Sequence, residues 1–235
     1  MTHGATIRHL HGVPRAEVTT SRIVLIARDP ALALQWRSEL SADGAHEVVA
    51  VTNGARSAQA LLQTHRPQLV VCDLRLIDGT ALALIEWLSL QPQRPLIIAV
   101  ARDDAEPLLL ESLRAGADNV CIVRDGESAL RACIDQTLRG ETALTRPVAR
   151  ALLDHFERSH AQLRGRGAMV GDEESPLGLE APQRELLMRL AAGYELEQLA
   201  KAQTVATGAL GQRLRTIVRK LQWDARAGSL TLQLS

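Results

Sequence analysis

Leu69-Val70-Val71-Cys72-Asp73 is an apolar run that ends on a carboxylate, and Asp78-Gly79 follows it closely. An acid at the C-terminal tip of a buried strand, just before a glycine turn, sits where open α/β sheets keep their chemistry. Four similar runs flank it, at residues 23–27, 47–51, 96–100 and 119–123. Longer amphipathic stretches separate them, at 30–42, 54–65, 80–90, 105–115 and 126–139, with Gly116 as a stop signal for the fourth. Each short run alone reads equally well as a piece of buried helix. Their regular alternation decides the matter. Five strand–helix repeats in about 120 residues predict a doubly wound parallel sheet covered on both faces.

The strand signal does not return after residue 139. Residues 145–163 read as one more helix, starting near Pro147. The stretch 165–176 is glycine, charge and proline with little to bury, which marks a flexible linker. Three short helices follow at 182–192, 195–202 and 207–222, and 224–234 is a candidate fourth. Residues 1–20 carry three His, two Gly and one Pro without periodicity. The expected organisation is a loose extension over 1–20, an α/β domain over 21–142, a linker helix and flexible linker over 143–178, and an all-α domain over 179–235.

Composition narrows the class. The chain has 235 residues, 46% hydrophobic and 23% charged, as ordinary globular domains do. Aromatics are 2%, so Leu, Ile, Val and Ala must build the core. Basic and acidic residues balance at 27 each, so net charge alone points to no partner. Cys72, Cys121 and Cys133 form no CxxC pair, and they read as buried thiols in a reducing cytoplasm. No apolar stretch approaches the roughly 18 residues that a membrane span needs. No Ser-His-Asp set, metal cluster or phosphate loop stands out, so an enzyme, a metal and a cofactor are not expected.

The quoted run, together with Pro67-Gln68 before it, Asp78-Gly79, Ala115-Gly116-Ala117-Asp118 and the element order, resembles the receiver domain of bacterial response regulators. Residues 22–235 as a whole resemble the NarL/FixJ group, which joins a receiver to a LuxR-type helix-turn-helix. The resemblance makes Asp73 the equivalent of the phospho-acceptor. It also implies an acidic pair for Mg²⁺, a hydroxyl residue after the fourth strand and a lysine after the fifth. In this sequence the acidic pair falls on Ala27 and Arg28, with Asp29 next. The hydroxyl falls on Val100 and the lysine on Val123, with Arg124 next. A phosphoryl group brings negative charge onto a carboxylate, so cations must compensate it. Alanine and arginine supply no oxygen to a metal that demands near-octahedral oxygen ligands. The implied domain is a pseudo-receiver that works without phosphorylation, the rival being a conventional receiver phosphorylated at Asp73. Two arrangements are open for Arg28. Its forked guanidinium pairs with Asp73 where the metal would stand, or it points to solvent and Asp73 caps the next turn.

The second resemblance rests on Arg184-Glu185-Leu186-Leu187, Leu190-Ala191-Ala192-Gly193, Leu199-Ala200, Val205, Leu210, Leu214, Ile217 and Arg219-Lys220-Leu221. The apolar members alone say only that helices pack. The last helix adds Arg213, Arg215, Arg219 and Lys220 with no acid between Thr207 and Leu221. A basic helix suits the major groove and its flanking phosphates. By the resemblance, the groove-facing positions fall on Gly211, Gln212 and Arg215. Gln212 is suited to adenine and Arg215 to guanine. The family's Ser and Thr near this helix start fall on Ala206 and Ala209. Gly208 and Gly211 lie inside the helix, each costing roughly 1 kcal/mol relative to Ala. Thr204 or Thr207 is the candidate N-cap.

These readings combine into a DNA-binding transcriptional regulator, a homodimer on double-stranded promoter DNA. Its receiver-like domain would control dimerisation or output exposure. Leu144, Val148, Leu152 and Phe156 recur every four residues and either form the dimer surface or pack back onto the receiver. The alternative is a protein-interaction or anti-activator module that uses a degenerate helix-turn-helix to engage another regulatory protein.

Overall fold

The computed structural model of the protein describes residues 20–42, 44–123, 129–165 and 178–233. The expected alternation is present. Strands β1 (Ser21–Ile26), β2 (His46–Thr52), β3 (Leu69–Asp73), β6 (Leu96–Ala101) and β7 (Asn119–Ile122) form one parallel sheet. Their order is β2-β1-β3-β6-β7. Helices α1 (Pro30–Ser41), α2 (Ala55–His65), α3 (Leu82–Ser89), α4 (Leu108–Ala115) and α5 (Ala129–Leu138) connect them. This is the doubly wound, flavodoxin-like arrangement, followed by a helical region.

Alternate residues of each strand feed opposite faces, which explains two apolar clusters. Ile23, Leu25, Leu69, Val71, Ile98 and Val100 pack with Trp36, Leu40 and Ile134 on the α1–α5 side. Val24, Ile26, Val70, Cys72, Ile97 and Ala99 pack on the other side against α2, α3 and α4. Both faces are covered, so the strands read as unbroken apolar runs. Cys72, Cys121 and Cys133 are buried and unbridged. Cys72 and Cys121 lie on β3 and β7 with β6 between them.

The stretch 75–80 departs from the sequence reading. A small hairpin, β4 (Arg75–Leu76) paired with β5 (Gly79–Thr80), occupies it, and α3 starts two residues later than expected. Asp78 at its tip reaches across the fold. Its two carboxylate oxygens accept from Ala55 N at 2.9 Å and Arg56 N at 3.1 Å, capping α2 from a distant loop. These two bonds hold the exposed Asp78 carboxyl below its ordinary value.

The remaining helices are α6 (Arg146–Gly165), α7 (Ala181–Ala191), α8 (Leu196–Gln203) and α9 (Thr207–Gln233). The separate fourth helix at 224–234 does not exist as such, because α9 is one helix of 27 residues that runs on to Gln233. Nothing between Gln222 and Ala227 breaks a helix, and Asp224 is held by His155 of α6 at 2.9 Å. Thr204 is not an N-cap; it ends α8 in the left-handed conformation at φ 55°. The apolar cluster on the α4 side of the sheet continues without a gap through Val148, Leu152 and Phe156 of α6 to Leu186, Leu199, Leu214 and Leu221. The stripe at 148, 152 and 156 is therefore spent inside the chain and does not face a second copy.

Candidate functional site

Asp73 stands at the C-terminal tip of β3, paired in register with Val100 of β6. A cleft of about 480 Å³ opens above it, lined by Arg28, Asp29, Arg75, Arg102, Asp103 and Glu106 among others. Asp73 is 8% exposed. Its Oδ2 accepts from the backbone N–H of Arg28 at 2.9 Å. Of the two arrangements open for Arg28, the guanidinium pair does not form: the main chain of Arg28 meets Asp73, and the Arg28 side chain is exposed. Burial pushes the Asp73 carboxyl up from its ordinary value, opposed by the Arg28 N–H and by the positive charge of Arg102.

The other pocket positions are apolar or committed elsewhere. Ala27, Val100 and Val123 are 1%, 1% and 8% exposed and belong to the α1–α5 cluster. Asp29 caps α1, its Oδ1 accepting from Ala31 N at 2.9 Å, and its Oδ2 lies 3.9 Å from Arg102. Arg75 and Glu106 form a two-pronged pair at 2.9 Å on each prong. Arg124 lies outside the described residues. A receiver fold implies Mg²⁺ beside the acceptor. The residues present do not fit it: at the positions that the resemblance gives to the acidic pair stand Ala27 and the outward-facing Arg28, neither with a side-chain oxygen, and one oxygen of Asp73 already accepts a backbone N–H. Among the described residues no group of three or more His, Cys, Asp or Glu is placed to hold a metal ion.

The second set of candidates lies on α9, and the structure divides it. Thr207, Gln212, Arg213 and Arg219 are exposed. Gly211, Arg215 and Lys220 are not. The Lys220 ammonium donates to Gly178 O at 3.0 Å, Glu180 Oε1 at 3.0 Å and Gln183 Oε1 at 2.9 Å. All three of its donors are used at the start of α7, so its place is in the helical domain's own fold. Arg215 points into the α/β domain. Its Nη2 lies 3.3 Å from Asp118 Oδ1 and its Nη1 donates to Thr137 O at 3.4 Å.

Asp118 is the hub of this junction. It is 4% exposed, takes both prongs of Arg94 at 2.7 and 3.2 Å, and accepts from Ile97 N at 3.0 Å. Further along α9, Gln222 Nε2 donates to Ala117 O at 2.9 Å and Arg226 Nη2 to Ser89 O at 3.5 Å. Gly211 explains itself here. A Cβ on it would lie 3.0 Å from Glu141 Cβ, and its carbonyl accepts from Thr142 N at 3.1 Å. A Cβ on Gly208 would lie 2.8 Å from Glu141 Oε1. The two glycines that weaken the helix let the α5–α6 connection press against it. Sequence reading missed Asp118, Glu141 and Gln222 as interface residues, because their partners lie far away along the chain.

Comparison with known proteins fits this architecture. Residues 23–139 match the family model of the response regulator receiver domain. The chain is 24% identical over 219 residues to the nitrate/nitrite response regulator protein NarP of Escherichia coli strain K12, covering 93% of this chain and 96% of that one. It is 26% identical over 189 residues to the DNA-binding transcriptional activator DevR/DosR of Mycobacterium tuberculosis H37Rv, covering 80% and 82%. Among solved structures, RcsB of Salmonella enterica serovar Typhimurium bound to promoter DNA with a phosphomimetic aligns over 87% of this chain and 93% of that one, with a TM-score of 0.50 and 15% identity.

Proposed function

We propose that this chain, a receiver domain followed by a helical output region, is a DNA-binding transcriptional regulator whose receiver controls exposure of α9 without phosphoryl transfer. The observation that carries the reading is Arg215. It occupies the position suited to guanine, yet its side chain is 12% exposed against Asp118. While that contact holds, the basic face of α9 is only partly available to a major groove. Release of α9 from Asp118, Ala117 and Glu141 frees Arg215 and restores a face of Gln212, Arg215 and Arg219. The DNA-binding description of the DevR/DosR relative supports the same direction.

Independence from phosphorylation rests on the pocket. Phosphoryl transfer to Asp73 needs compensating cations and a Mg²⁺ bridge. Ala27, Arg28, Val100 and Val123 offer no metal oxygen, no hydroxyl and no lysine at the required places. Arg28 and Arg102 supply fixed positive charge to the cleft instead. The active form is a homodimer on paired half-sites, with its interface away from the stripe of α6 that is buried within the chain.

A second reading has its own observation. Gly211 and Lys220, at or beside the expected groove-facing positions, serve contacts inside the chain. An output domain that engages another regulatory protein would show the same economy of DNA contacts. Genome-wide DNA capture with wild-type protein beside Asp73→Ala and Arg215→Ala separates the readings. Loss of captured fragments with Arg215→Ala alone supports the regulator described here. Loss with both reopens phosphorylation, and no enrichment with wild type favours the protein-interaction module.

A further inference from the structure

The junction between the domains holds a second cleft, of about 380 Å³, between the end of α5 and the outer face of α9. Arg139, Gly140, Gln212, Arg215, Thr216 and Arg219 line it. Four guanidinium groups gather at or beside it, those of Arg94, Arg139, Arg215 and Arg219. Two carboxylates answer them. Glu141 takes Arg139 at 3.0 Å, and Asp118 is shared between Arg94 at 2.7 Å and Arg215 at 3.3 Å. Arg219 has no carboxylate partner among the described residues. The Nε of Arg215 is buried without a hydrogen-bond partner. The cleft therefore carries surplus positive charge and polar side chains from two different elements.

We infer that this cleft binds a small phosphate-bearing anion, which bridges Arg139 of α5 to Arg215 and Arg219 of α9 and holds α9 against the receiver. Planar guanidinium forks match phosphate oxygens, and a shared anion turns their mutual repulsion into attraction. Burial and the neighbouring charges of Arg219 and Arg94 already push the Arg215 guanidinium down from its ordinary value, with Asp118 opposing. An anion relieves that unfavourable crowding. The proposal needs only the packing of α9 on the receiver and does not require α9 to read DNA.

The test is isothermal titration of the full chain with inorganic pyrophosphate and, separately, with ADP. Wild type is expected to bind at least one of them, and Arg139→Gln and Arg219→Gln each to weaken binding about tenfold. Arg150→Gln, an exposed arginine on α6, is expected to leave the affinity unchanged. Equal affinity for the two probes assigns recognition to the phosphates, and tighter ADP places the nucleoside in the same cleft. Binding of neither probe overturns the proposal. An equal loss with Arg150→Gln also overturns it, because the attraction is then only diffuse charge. Circular dichroism of each variant establishes that a loss does not come from unfolding.

Discussion

Arg215 Nη2 sits 3.3 Å from Asp118 Oδ1, joining α9 to the receiver through side chains that are 12% and 4% exposed. Removing Arg215 leaves Asp118 its Arg94 fork and its Ile97 N–H, so the carboxylate is not stranded. We expect Arg215→Ala to destabilise the chain by about 1–3 kcal/mol in urea unfolding. The same variant loses promoter affinity. Gln222→Ala acts with the opposite sign on DNA. It deletes the 2.9 Å bond to Ala117 O, loosens the docked helix and leaves Arg215 intact, so retardation of a promoter fragment appears at lower protein concentration.

Gly208 and Glu141 form a second testable pair. Glycine inside a helix costs roughly 1 kcal/mol relative to alanine, so Gly208→Ala should stabilise α9 if nothing opposed it. Glu141 opposes it, with Oε1 2.8 Å from where the new Cβ would lie. In the wild-type background the substitution is expected to be neutral or destabilising. In a Glu141→Ala background it is expected to stabilise by about 1 kcal/mol. Urea midpoints of the four proteins complete the cycle.

Gly116 has less latitude. Its φ is 124°, and a Cβ there would lie 2.3 Å from Ser89 Cβ. Gly116→Ala meets both a backbone conformation that alanine resists and a clash with a side chain at the end of α3. A loss of about 3 kcal/mol or more is expected in urea unfolding. Ser89→Gly in the same chain removes the clash but not the φ, so rescue should be partial.

Asp73 bears on stability through its charge. Burial raises its carboxyl pKa in the folded chain, so the folded state holds that proton to a higher pH than the unfolded state does. The contribution of this group to stability therefore falls as pH rises from the unfolded to the folded value, and stays lost above it. Asp73→Asn keeps an acceptor for the Arg28 N–H and carries no charge. Its thermal midpoint is expected to exceed that of wild type at neutral pH. The gap should narrow towards acid, where wild-type Asp73 is protonated as well. A gap that widens towards acid would mean that the ionised carboxylate is the stabilised form.

The sheet was legible because its evidence is local. Runs such as Leu69–Asp73 are apolar on both faces and each is followed by a helical stretch, so the strands and the position of Asp73 at a strand end follow from short windows. The α9 residues were legible as a basic helix for the same reason. What escaped depends on distance along the chain. Asp78 caps α2 from 22 and 23 residues away, and Arg215 meets Asp118 from 97. No window holds both partners of such a pair. Gly208 and Gly211 did leave a mark, since two glycines in one helix break a local rule. The sequence alone could register that cost but not the nearness of Glu141 that explains it.

We propose that α9 is governed by its contact with the receiver and not by phosphorylation of Asp73. The most direct measurement is the binding isotherm of wild-type protein on a promoter fragment recovered by capture, with and without acetyl phosphate and Mg²⁺. Superimposable curves are expected. Tighter binding with the phosphodonor, together with the added mass of one phosphoryl group on the intact chain, would contradict it.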